Sequence, residues 1–108
     1  IKQDFDRDGV VKYMVKFVCD GFNPTITDQV NNTNTPGTVT IEGDSGYCEL
    51  TFPTNVADRY FVGTADTAFA ATNGSCGFAQ GNKLKCGLFN MITQAPEQNN
   101  LDMILVVY

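Results

Sequence analysis

Val10-Val11-Lys12-Tyr13-Met14-Val15-Lys16-Phe17-Val18 is the stretch that decides the fold class. Val11, Tyr13, Val15 and Phe17 fall on one side of an extended chain and Lys12 and Lys16 on the other, the period of two that marks a half-buried strand. A helix would bring apolar residues back at every third and fourth position, and no long stretch of the 108 residues does so. β-Branched and aromatic residues dominate the apolar segments instead.

Further strands follow outward from this one. Asp20-Gly21-Phe22-Asn23-Pro24 breaks the pattern, and residues 25–37 read as an exposed polar loop around a short strand. Residues 38–42 and 47–52 flank Gly43-Asp44-Ser45-Gly46 as a hairpin, with Cys48, Leu50 and Phe52 on one face and Tyr47, Glu49 and Thr51 on the other. Residues 59–65, a short segment around Phe69, and residues 83–92 and 101–108 complete the set, with a loop over 94–100. About seven short strands predict one all-β domain over residues 1–108, an antiparallel β-sandwich of immunoglobulin-like or jelly-roll-like kind. The chain has no Trp to pack on an inter-sheet disulfide, so the antibody hallmark is missing. The tracts at residues 13–19 and 46–52 resemble strands of small exported bacterial or phage-fibre β modules, a strand-level resemblance that implies no role for any single residue.

Four cysteines, no histidine and an opening on Ile1 rather than Met lead us to expect a processed, exported, disulfide-stapled domain at the cell surface or outside it. Cys19, Cys48, Cys76 and Cys86 show neither a CxxC pair nor a histidine partner, which disfavours a zinc site. Gly81-Asn82 lies midway between Cys76 and Cys86, as a hairpin turn would, so the favoured pairing is Cys19 with Cys48 and Cys76 with Cys86. Two acceptor motifs for N-glycosylation, at Asn31 and Asn73, fall in stretches that read as loops.

Seven Lys and Arg against twelve Asp and Glu give a net charge of −5, and the basic residues form no stripe. Nucleic acid and anionic membrane are therefore not expected partners, and no apolar run has the length of a membrane span. Asp4-Phe5-Asp6-Arg7-Asp8-Gly9 offers three alternating carboxylates and a glycine, which makes calcium a candidate cofactor with Asp4, Asp6, Asp8 and the carbonyl of Val10 as ligands. The EF-hand pattern fails at its twelfth position, Val15, and the alternative is a solvated acidic terminus. Without histidine no Ser-His or Cys-His pair can form, Gly74, Gly77 and Gly81 are spaced as turns and bulges rather than as a phosphate cradle, and no enzyme activity is expected. Tyr13, Tyr47, Tyr60, Phe61, Phe69 and Phe78 are candidate sugar contacts and also candidate core, with Tyr47 beside Thr51 the most promising outward ring.

The functional expectation is an extracellular structural or adhesive module, a subunit of a surface appendage, fibre or filament. It would assemble with itself or another surface protein through strand or edge contacts, for which residues 10–18 and 101–108 are available. The alternative is a calcium-assisted carbohydrate-binding module with glycan as its partner.

Overall fold

The computed structural model describes residues 10–19, 23–44, 47–66, 72–90, 95–96 and 102–108. Their regular structure is all β: β1 (Tyr13–Val18), β2 (Thr25–Asn31), β3 (Thr40–Asp44), β4 (Tyr47–Thr51), β5 (Phe61–Asp66), β6 (Thr72–Gln80), β7 (Lys83–Asn90), β8 (Ala95–Pro96) and β9 (Asp102–Val107). They make two antiparallel sheets of four strands each, β2-β1-β9-β5 and β3-β4-β7-β6, with the two-residue β8 added to β7. No helix among the described residues is long and apolar enough to cross a membrane.

The alternation read from the sequence places the core. Tyr13, Val15 and Phe17 of β1 and Met103, Leu105 and Val107 of β9 meet Cys48 and Leu50 of β4 and Leu84 and Cys86 of β7 in one buried cluster drawn from both sheets. Each fully buried side chain of this size contributes about 1.5–3 kcal/mol relative to exposure. Tyr13 sits edge-on to Phe52 with ring centroids 5.0 Å apart. Its hydroxyl shares a 2.8 Å hydrogen bond with Thr54 Oγ1, so the one polar atom that burial would strand has a partner.

Two disulfides hold this arrangement. Cys19–Cys48 ties the end of β1 to β4 in the other sheet, and Cys76–Cys86 joins directly opposed residues of β6 and β7, the pairing that the Gly81-Asn82 turn suggests. The sulfurs of Cys19 and Cys48 lie 3.5 and 3.4 Å from the Cys86 carbonyl oxygen, so the two bridges are neighbours. In the chain-entropy picture a bridge closing so short a loop as the hairpin's stabilises by roughly 3 kcal/mol. Gly81 has φ of 61° as the tight turn requires, and its carbonyl accepts from the backbone of Val56 and Ala57. The hairpin tip is thereby pinned to the segment after β4.

The two margins between the sheets close differently. β5 comes close to β6, and Gly63 permits it, since a methyl at that position would run into Cys76 Sγ. At the other margin the Gln29 side chain stands in for a strand partner: its Oε1 accepts from Val39 N at 2.7 Å and its Nε2 donates to Val39 O at 3.2 Å.

Several expectations need correction. Eight strands of five residues or more replace the expected seven. Of the glycines that read as turns and bulges, Gly81 lies in the turn and the register shifts between Gly77 and Gln80, whereas Gly74 lies inside β6, a strand the sequence reading lacks and which pairing with β7 and the disulfide hold extended. The short strand expected within residues 25–37 is the seven-residue β2, and Ala95 and Pro96 pair with β7 inside the expected loop. The immunoglobulin order does not hold: its first and last strands lie in different sheets, whereas β1 and β9 pair here. Both of those strands are interior, so neither offers a free edge to a neighbour. Lys12, expected beside solvent-facing Lys16, is 1% exposed. Alternation tells which side of a strand a residue occupies, not whether neighbouring chain covers that side. Here the backbone of Val107 and of Asn32 hydrogen-bonds to Lys12 from either side.

Candidate functional site

Asp4, Asp6 and Asp8 of the expected calcium loop lie outside the described residues, as do Asp20 and Phe69. Val10 is described, and its carbonyl oxygen accepts a 2.8 Å hydrogen bond from Lys12 Nζ. Among the described residues no group of three His, Cys, Asp or Glu side chains is placed to hold a metal ion.

Asn31, at the end of β2, uses its side chain to close the following loop. Its Nδ2 donates to the carbonyls of Thr35 and Gly37 at 3.0 and 3.1 Å, and its Oδ1 accepts from the backbone N of Thr33 at 2.8 Å and from Thr33 Oγ1 at 2.6 Å. A glycan on Nδ2 would leave one hydrogen where two are now in use. Asn73 lies within β6, paired with Phe89, and not in the loop expected for it.

Of the rings considered for sugar contact, Tyr13 is core and Phe61 packs against the core. Tyr47 and Tyr60 remain outside, 45% and 75% exposed. They belong to two different surfaces, the outward faces of the two sheets.

On the first sheet, register brings one outward residue of each strand into a line. Met14 is opposite Val30 on β2 and Val106 on β9, and Val106 is opposite Val62 on β5. Val30, Met14, Val106 and Val62 thus form an apolar row across all four strands, with Met14 44% and Val62 59% exposed. Tyr60 extends it, held to the last residue by a 2.7 Å bond from Tyr108 N to Tyr60 O. The next row carries Lys16, opposite Asp28 and Ile104, with Lys16 Nζ 3.9 Å from Asp102. A shallow depression of about 200 Å³ lies between Met14, Val30 and Ile104. Tyr60 and Val62 project at the opposite end of the row.

On the second sheet, the outward positions near the disulfides are small. Ser75 is opposite Gly87, and Gly77 is opposite Lys85, which is in turn opposite Glu49. The result is a groove of about 790 Å³, floored by Ser75, Gly77 and Gly87 and walled by Tyr47, Glu49, Lys83, Lys85 and Gln80. The Tyr47 ring lies against Gly87, whose missing side chain leaves room for it: a Cβ there would stand 2.6 Å from Tyr47 Cδ1. Lys83 Nζ and Glu49 Oε1 are 3.6 Å apart along one wall. The alternation of β4 marks Tyr47 and Glu49 as outward, whereas the floor depends on β6 and its register, which no single stretch of sequence states. Comparison with protein families, curated proteins and solved structures finds no match to this chain, so its function is read from these two faces.

Proposed function

We propose that the chain is an exported, non-enzymatic β-sandwich that serves as a structural or adhesive module and associates with further copies of itself through the outward face of its first sheet. The observation that carries this reading is the apolar row Val30–Met14–Val106–Val62, which spans every strand of that sheet. The shared core and the bridge from Cys19 to Cys48 support the sandwich, and two disulfides fit an oxidising compartment.

A second copy is the occupant that suits this face. A two-fold axis along the strands, between β1 and β9, sets the projecting Tyr60 and Val62 of one copy over the depression at Met14 and Val30 of the other. In that arrangement Asp28 meets Thr64 and Lys16 meets Ile104, so no like charges oppose one another. Four strands about 4.8 Å apart and six residues of about 3.3 Å give a patch of roughly 400 Å² in plan, about half of a standard partner's share. A single contact is therefore weak, and being two-fold it closes on a dimer. Edge pairing is less favoured, because β1 and β9 are interior and Gln29 already occupies the backbone of Val39. The hydrogen bond from Lys12 to the Val10 carbonyl likewise speaks against a cation at that oxygen.

Sedimentation velocity over a wide concentration range tests the reading. A reversible dimer or larger species that Met14→Glu returns to monomer is the expected result. A wild-type chain that stays monomeric up to millimolar protein, or whose association is unchanged by Met14→Glu, would overturn it.

A further inference from the structure

We propose that the groove on the outward face of the second sheet is a binding site for a short neutral saccharide. The inference is independent of self-association, since it uses the opposite face of the molecule.

The groove departs from what an outward sheet face usually presents. Long polar side chains normally stand on such a face, but here Ser75, Gly77 and Gly87 occupy adjoining outward positions of β6 and β7, so the floor is low, with Gly87 under the Tyr47 ring and Gly77 open. Its volume of about 790 Å³ lies in the range of small-ligand sites. A Cβ built at Gly77 meets nothing within 4 Å, so that part of the floor is open space.

The walls select the ligand class. Tyr47 is held by Gly87 at one end with much of its ring still exposed, which suits the C–H face of a pyranose. Around it stand a carboxylate that accepts (Glu49), two ammonium groups that donate (Lys83, Lys85), and an amide and a hydroxyl that do both (Gln80, Ser75). Vicinal hydroxyls, each donor and acceptor, match that mixture, whereas a hydrocarbon ligand would match none of it. The two ammonium groups are already turned to one carboxylate: Lys83 lies 3.6 Å from Glu49, and Lys85 is the cross-strand partner of Glu49. A phosphate or an acidic sugar would have to compete with Glu49 for these cations and meet its carboxylate.

The test is an array of neutral and acidic oligosaccharides, followed by titration calorimetry with the best neutral binder, on the wild type and three variants. Tyr47→Ala removes the ring and is expected to weaken binding about tenfold, the scale of one stacking contact. Gly77→Val fills the floor and should abolish binding while leaving the melting temperature near that of the wild type. Met14→Glu, on the opposite face, should bind as the wild type does, which separates this inference from the proposed self-association. Binding of acidic glycans alone, no binding on the array, or neutral binding indifferent to both Tyr47→Ala and Gly77→Val in folded protein would each overturn the proposal.

Discussion

The outward faces of the two sheets are built on the same alternation and the same core, yet they present opposite surfaces. In the first sheet four outward residues, Met14, Val30, Val62 and Val106, are aligned by cross-strand register into an apolar row. In the second they are Tyr47, Glu49, Lys85, Gly77 and Gly87, and register collects the small ones into a floor with polar walls. Inward positions determine that the chain folds, and outward positions, read across strands rather than along them, determine what each face can hold.

The largest test of this contrast lies behind the groove. Replacing both cysteines of the hairpin bridge, Cys76→Ser with Cys86→Ser, should cost roughly 2–5 kcal/mol, measured by denaturant midpoint. Because β6 forms the groove floor and has no part in the apolar row, saccharide binding should fall further than self-association in whatever protein remains folded. Equal losses on both faces would break the distinction between them. Gly63→Ala strikes the same bridge from the other sheet, where the new methyl meets Cys76 Sγ. Overpacking of this kind costs about 1–3 kcal/mol, read as a lowered melting temperature, and Gly77→Ala is the control in open space.

How far the sequence discloses this arrangement differs by element. β1 and β4 are legible because inward and outward residue types alternate along them, and β9 because its apolar run is of strand length. Gly81-Asn82 makes the hairpin and the local pairing of Cys76 with Cys86 legible, but the turn alone would set Gly77 against Cys86, and a register shift between Gly77 and Gln80 brings Cys76 opposite it. β6 is hidden because Gly74 and Gly77 read as breaks, and only the neighbouring strand and the disulfide hold it extended. The burial of Lys12 is hidden because alternation does not state what covers a side chain; its backbone is flanked by chain far away in sequence, at Asn32 and Val107. Both candidate faces were out of reach for one common reason. They are rows across strands, and register is a tertiary fact that no stretch of the sequence states alone.

Smaller effects sharpen the contrast further. Met14→Glu should change stability by no more than about 0.5 kcal/mol, as for an exposed position, while abolishing concentration-dependent association in sedimentation. Lys83→Gln removes the 3.6 Å pair with Glu49, whose side chains are partly exposed. Its cost should lie within about 1 kcal/mol and shrink with added salt, by thermal melts at low and high ionic strength.

The most direct test of a division of labour between the two faces is a dilution series followed by backbone amide NMR, from millimolar protein downward. The expected shifts are confined to the first sheet, at Met14, Val30, Val62 and Val106, with Tyr47, Gly77 and Gly87 unmoved. Shifts centred on the groove residues, or spectra that do not change with concentration, would contradict it.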